Sequence, residues 1–211
     1  MRKNESLKFK VYKDLKNRIL KNEIKQGEYL EEKAICEEYG VSRTPVREAM
    51  VLLEKDDLIK NYPNKGIFVT EISIQATKEL FQIRRYLEPI AFRLAFDNLN
   101  LNILTDFKEE LMQALDNKDY MELHELDYRI HNYINSKCNN IYLLKYLNNV
   151  SDTFQRIRTQ PFYAEKRTEG GAKEHIVLIN LIIERKLNEA LELLNEHITN
   201  TETYYFNSLI N

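Results

Sequence analysis

Asp127 and His131 stand four residues apart, so on a helix both project from one face, one turn from each other. His175 and His197 fall near the start and in the middle of two successive helical stretches, where an antiparallel pair of helices would set them side by side. A carboxylate and three imidazoles converging in a bundle core would bind a first-row divalent metal, and Zn, Ni, Mn and Fe(II) all suit that donor set. The same spacing is met by an Asp127–His131 pair at the surface with the other histidines scattered, and spacing alone leaves both readings open. His124, the remaining histidine, comes three residues before Asp127 and reads as a partly exposed side chain rather than a fifth ligand.

A second chemistry is carried by Ser42-Arg43-Thr44-Pro45-Val46-Arg47-Glu48-Ala49. Ser42 or Thr44 can cap a helix here, Pro45 is tolerated in its first turn, and Val46, Ala49, Met50 and Leu53 form its buried stripe. Arg43, Thr44 and Arg47 are left pointing outward, with the two arginines on one face at the helix N-terminus, where a guanidinium can grip guanine O6/N7 or a phosphate. The competing reading is a solvated helix start whose arginines pair only with Glu48 or other acids. The surroundings favour the first. Gly40 separates this helix from one at about 31–39, which is the helix-turn-helix pattern, and Val11, Leu15 and Ile19 mark a helix before both. Downstream, Leu58-Ile59 and Ile67-Phe68-Val69 flank Asn61-Tyr62-Pro63-Asn64-Lys65-Gly66, a hairpin that would form a wing.

The elements that must position the histidines are helical. Only 5 Gly and 4 Pro occur in 211 residues, most of them before residue 90. Apolar positions then recur at three- and four-residue steps, as in Leu80, Ile83, Leu87, Ile90, Ala91 and Leu94. Helices are expected at 72–97, 101–116, 119–137, 140–159, 171–186 and 187–209. The fold class is therefore mainly α: a winged helix-turn-helix domain over 1–71 and an antiparallel all-α bundle over 72–211.

Composition narrows the function. With 43% hydrophobic and 30% charged residues the chain has both a core and a polar surface. It contains no apolar run long enough for a membrane span, and Met1 to Lys16 lacks the pattern of a secretory leader. Two cysteines make neither a disulfide framework nor a zinc ribbon, so a reducing cytoplasm is expected. Residues 1–70 hold 15 Lys+Arg against 12 Asp+Glu, and the rest 16 against 21, so the basic end is the N-terminal third. No Gly-rich phosphate loop and no nucleophile elbow is present.

Taken together, Ile24 to Leu30, Glu38 to Val41, the octet at 42–49, Leu52-Leu53-Glu54 and Pro63 to Val69 resemble the GntR family of bacterial transcriptional regulators. That resemblance implies that Ser42, Arg43, Thr44 and Arg47 meet DNA, with Arg43, Thr44 and Arg47 reading bases and phosphates. It also makes Gly66 the wing glycine near the minor groove. Lys33 stands where many members have an arginine, and a lysine point charge there favours phosphate over base contact. Residues 76–205 look like the FCD ligand-sensing domain of the FadR subfamily, through Arg84-Arg85-Tyr86-Leu87-Glu88, Asp127, His131, Asn140, Glu174-His175, Ala190, Leu194 and His197. Ile130 departs from the aromatic residue common before the second ligand.

By this resemblance Asp127, His131, His175 and His197 hold a divalent metal, a small organic acid completes its coordination, and Arg84 faces that acid. The alternative for Arg84 is a pair with Glu88 one turn on. Arg156 and Arg158 either reach the same cavity or turn to solvent, and Tyr204, Tyr205 and Phe206 pack at the bundle end or at a dimer contact. The expected protein is a homodimeric regulator that binds a palindromic operator in double-stranded DNA under effector control, without a membrane partner. The rivals are a metal-dependent helical enzyme using the same ligands and a regulator with a metal-free dimerisation domain.

Overall fold

The structure, a computed structural model, describes residues 6–158 and 165–209 and divides into two compact units between Ser73 and Ile74. In the first, α1 (Leu7–Leu20) buries Val11, Leu15 and Ile19 against α3 (Arg43–Lys55), whose stripe is Val46, Ala49, Met50 and Leu53. Between them lie β1 (Tyr29–Leu30) and α2 (Glu32–Tyr39). Gly40 ends α2 in the left-handed conformation at φ 62°, which glycine adopts without a Cβ penalty. Ser42 occupies the N-cap of α3, but its side chain makes no capping hydrogen bond, contrary to expectation. Extended backbone at Ser42 is enough to start the helix.

β2 (Ile59–Tyr62) and β3 (Gly66–Val69) form the antiparallel wing, and β1 adds to the other edge of β3, giving the order β1-β3-β2. The sequence reading missed β1 because two residues are too short to show an alternation. Tyr29 lies opposite Phe68, and their rings meet at 5.3 Å. Gly66 has φ 102°, and a Cβ on it would come within 2.5 Å of the Tyr29 ring.

The second unit is a helical bundle: α4 (Ile74–Ala95), a 3₁₀ turn (Phe96–Asn98), α5 (Leu101–Asp116), α6 (Tyr120–Ser136), α7 (Ile141–Arg158), α8 (Glu165–Ile183) and α9 (Leu187–Ser208). Side-chain caps fix three starts, with Asn100 accepting from Asn102 N at 2.9 Å, Asp119 from Glu122 N at 3.0 Å and Asn140 from Leu143 N at 3.0 Å. Helix α6 packs against α4, α5, α7 and α8, and α9 packs against α4 and α8.

Two expectations are corrected here. Helix α8 starts six residues before the expected 171, because Gly170 and Gly171 lie inside the helix rather than ahead of it. In α4 the buried face is Thr77, Phe81, Arg84, Glu88, Ala91, Phe92 and Ala95, whereas Ile83, Ile90 and Leu94 are exposed. Of the apolar positions that marked this helix, Ala91 points inward but Ile83, Ile90 and Leu94 point outward, because the inner face carries a charged pair.

Candidate metal centre and nucleic-acid interface

Asp127 and His131 come from α6, His175 from α8 and His197 from α9, and one ligand atom from each lies within 4.8 Å of the others. The histidines are 7%, 1% and 3% exposed, in that order. His131 Nε2 is 3.2 Å from His175 Nε2 and 3.4 Å from His197 Nε2. Asp127 faces all three imidazoles at 3.6–3.9 Å. Two nitrogens bound at about 2.0–2.1 Å to one tetrahedral ion sit about 3.3 Å apart, so the imidazole spacing suits a shared cation. His175 Nδ1 is buried without a hydrogen-bond partner, 3.6 Å from Asp127 Oδ1. The donor set and its spacing therefore fit a divalent metal.

Carboxylates orient two of the rings from behind. Glu174 accepts from His197 Nδ1 at 2.7 Å, and Glu88 lies 3.2 Å from His131 Nδ1. An Nδ1–H held in this way leaves the Nε2 lone pair facing inward. Each carboxylate is itself held by an arginine: Glu88 by Arg84 Nε at 2.5 Å, and Glu174 by Arg167 at 2.7 and 3.0 Å. Burial alone would raise the Glu88 and Asp127 carboxyls. For Glu88 the charges of Arg84 and His131 prevail, and for Asp127 that of Arg158 followed by the three imidazoles, so both stay below the usual carboxylate range. Glu174 is likewise held at about 2, where burial is outweighed by its hydrogen bonds from His197 and Arg167. Desolvation lowers His175 well below the ordinary imidazole value and lowers His197 too, keeping both available as neutral ligands.

A narrow cleft opens beside Asp127 and His197, bounded by Arg158, Arg167, Thr168 and Thr201. Its free volume of about 10 Å³ holds about one water molecule. Arg158 is buried against Asp127, and Arg167 donates to Thr201 Oγ1 at 2.8 Å. The question left open for Arg156 and Arg158 is thus answered inward for both, since each is at most 4% exposed. His124 is also more enclosed than expected, at 9% exposure, because it lines the cleft. Arg84 does not line it. The Arg84 guanidinium pairs with Glu88 and lies 4.0 Å from the centroid of the Phe154 ring, leaving one buried Nη1 without a partner. Tyr205 and Phe206 pack on Phe81 at the bundle end.

Sequence reasoning missed Arg167 and the roles of Glu88 and Glu174. One signal was available for the last of these: Glu174 adjoins His175 and lies two helical turns after Arg167, on the same face. Gly170 and Gly171 adjoin this pair: a Cβ on Gly170 would stand 3.4 Å from Arg167 and one on Gly171 3.8 Å from both Arg167 and His197, which are ordinary contact distances.

In the first unit, Ser42, Arg43, Thr44 and Arg47 are all exposed at the start of α3. The two arginines share one acid, but it is Glu32 of α2 rather than Glu48: Arg47 Nε donates at 2.8 Å and Arg43 Nε lies 3.7 Å away. Glu48 instead meets Lys8 at 3.6 Å. Lys33 is exposed on α2, 3.7 Å from Glu37. No helix among the described residues is long and apolar enough to cross a membrane.

Comparison with known proteins finds a family match in each unit. Residues 7–69 match the bacterial regulatory proteins of the gntR family, and residues 79–200 match the FCD domain. The uncharacterized HTH-type transcriptional regulator YdhC of Bacillus subtilis (strain 168) is 32% identical over 168 residues, 78% of this chain and 75% of that one. The HTH-type transcriptional repressor RspR of Escherichia coli (strain K12) is 24% identical over 198 residues, 89% of this chain and 87% of that one. Among solved structures, E. coli McbR/YncC has the same fold, with a TM-score of 0.84 at 22% identity over 96% of this chain and 98% of that one. The chain is therefore a member of the gntR family: a DNA-binding transcriptional regulator with an FCD domain, not an enzyme.

Proposed function

We propose that the protein is a homodimeric, metal-containing repressor whose affinity for a palindromic operator is set by a small organic acid bound in the helical unit. The observation that carries the metal reading is the approach of His131 Nε2 to 3.2 Å from His175 Nε2 and 3.4 Å from His197 Nε2, beside Asp127. Zn or Ni suits three imidazoles and a carboxylate best, with Mn or Fe(II) as further candidates. Such an ion supplies a Lewis-acid position open to one more oxygen ligand.

Asp127, His131, His175 and His197 hold the metal, while Glu88 and Glu174 fix the ring orientation of His131 and His197. Arg158 and Arg167 border the cleft and offer N–H donors to the acid. The direct effector contact expected of Arg84 passes to them, because Arg84 is engaged with Glu88. On the DNA side, Arg43, Thr44 and Arg47 read bases and phosphates, Ser42 and Lys33 contact the backbone, and Gly66 brings the wing close to the duplex.

Dimerisation is supported by Ile83, Tyr86, Ile90 and Leu94, an exposed stripe along one face of α4, and by exposed Tyr142 and Tyr146 on the adjacent α7. The repressor named among its relatives supports the sign of regulation. The expected compartment is the cytoplasm.

Metal analysis of the purified protein, thermal melting with and without chelator, and operator titration against a panel of acids test this reading together. One metal per chain, a melting point lowered by chelation and an acid-dependent shift in operator affinity are expected. Absence of metal and of any thermal response to Zn or Ni would leave a metal-free dimerisation domain instead.

A further inference from the structure

The two faces of the wing sheet differ in character. Leu30, Ile59 and Val69 point into the core, whereas Tyr29, Lys60, Tyr62 and Phe68 share the opposite face, since Tyr29 and Lys60 both pair with Phe68 and Tyr62 pairs with Gly66. Lys60, Tyr62 and Phe68 of that face, with Lys65, Gly27 and Glu71, border a cavity of about 580 Å³, a size that takes a small organic ligand. Its rings are braced: Phe68 meets Tyr29 at 5.3 Å and Tyr62 at 6.0 Å between centroids. Lys60 Nζ lies 5.4 Å from the centroid of the Tyr62 ring. Among the described residues neither Lys60 nor Lys65 has an ion-pair partner, and the same holds for Glu71. The backbone on both sides of Glu71 is nevertheless fixed, because Thr70 N donates to Leu58 O at 3.0 Å and Ile72 N to Gln26 Oε1 at 2.9 Å. A Cβ on Gly27 would come within 2.8 Å of Glu71 Oε1, so the glycine leaves the carboxylate its place.

These groups ask three things of a ligand. Aromatic side chains take a flat ring by stacking. Two unpaired ammonium groups take an anion, and phosphate suits such point charges. A carboxylate can only accept, so Glu71 asks for N–H donors on the edge of the ring. Inorganic phosphate meets one demand, and an aromatic acid meets two while lacking the N–H edge. A nucleotide meets all three. Guanine offers N1–H and N2–H side by side to one carboxylate, where uracil offers a single N–H. We infer that this cavity is a nucleotide site on the DNA-binding unit, with guanine as its preferred base. The base stacks on Tyr62 and Phe68, its N–H edge donates to Glu71, and Lys60 and Lys65 hold the phosphate. None of these residues belongs to the convergent ligands of the helical unit, so the site stands or falls independently of the metal reading.

Calorimetric titration of the full chain with GMP, UMP, ribose 5-phosphate, inorganic phosphate and a short single-stranded oligonucleotide of guanine provides the test. GMP should bind with a Kd of about 1 mM or tighter, and about tenfold or more tighter than UMP or ribose 5-phosphate. Glu71→Gln should remove the preference for GMP over UMP, and the double variant Lys60→Gln, Lys65→Gln should weaken both nucleotides about tenfold. All three positions are exposed, and an unchanged melting temperature verifies that the variants are folded. Absence of GMP binding would overturn the inference. So would equal binding of GMP, UMP and ribose 5-phosphate, which is charge attraction alone, or a preference for GMP that survives in folded Glu71→Gln protein. An oligonucleotide bound tenfold tighter than GMP would overturn the assignment to a free nucleotide and give the same stacking face to a nucleic-acid strand.

Discussion

Glu32 of α2 accepts from Arg47 of α3 at 2.8 Å, across the turn that joins the two helices. Its other oxygen lies 3.7 Å from Arg43, so one acid sets the direction of two exposed guanidinium groups. Exposed ion pairs contribute at most about 1 kcal/mol, so the value of this arrangement lies in orientation rather than stability.

Arg43→Ala and Arg47→Ala should each weaken operator binding by about 1–3 kcal/mol with little change on random duplex, whereas Lys33→Ala should weaken both alike and reduce the salt dependence. Glu32→Gln should leave the melting temperature nearly unchanged. It should tighten binding to random DNA by removing a negative charge beside the phosphates, and so lower the ratio of specific to random affinity. Titrations on operator and random duplexes at two salt concentrations measure all four.

Gly66→Ala should destabilise the wing irrespective of DNA. The added Cβ meets the Tyr29 ring at a backbone angle that L residues rarely adopt, with an expected cost of about 1–3 kcal/mol. Chemical denaturation of the free protein checks this. A variant as stable as wild type would place the role of Gly66 entirely in DNA contact.

Metal and bundle stability should move together, because the ligands tie α6, α8 and α9. Chelation should lower the melting temperature, and His175→Ala should remove that response. Glu174→Gln should reduce metal affinity about 10–100-fold without abolishing it, since the ring it orients remains. Competition with a chromogenic chelator gives the affinities.

Acid should destabilise the helical unit in two windows. Burial, with Arg158 nearby, depresses His124 to about 4 from an ordinary 6.5, so the unfolded chain binds more protons between those values and stability falls as pH drops through them. His124 alone contributes a slope of at most about 1.4 kcal/mol per pH unit, and His175 and His197, which burial also lowers, add to it. Glu174, held at about 2 against an ordinary 4.5, gives stability that is present above 4.5 and is lost as pH falls towards 2. Urea denaturation across pH should show both windows, and His124→Gln should reduce the slope of the upper one by the share of one histidine.

Much of this was legible in the residues. The stripe Val46, Ala49, Met50 and Leu53 is apolar at helical spacing and proved to be the buried face of α3. Asp127, His131, His175 and His197 were legible as types, but their convergence depends on how three helices pack, which spacing does not determine. In α4 the periodicity marked a helix without marking its buried face. Hydrophobic periodicity finds the largest apolar stripe, and there that stripe includes exposed Ile83, Ile90 and Leu94, while the inner face holds Arg84 and Glu88. A helix with a second apolar face for a partner misleads any rule that equates apolar with inward. Glu32 and Arg167 went unseen for a related reason, since their partners lie 15 and 7 residues away.

Gly170 and Gly171 also have a kinetic consequence. Each weakens a helix interior by about 1 kcal/mol relative to alanine, so the turn they form is the easiest part of α8 to open. Arg167 stands before that turn and His175 one turn after it. Local opening of α8 there would withdraw a cleft arginine and one of the proposed metal ligands in a single event, without global unfolding. Backbone amides around 167–175 should then exchange hydrogen faster than those of α6, and the lifetime of the closed turn would set how quickly a bound ion and acid can leave.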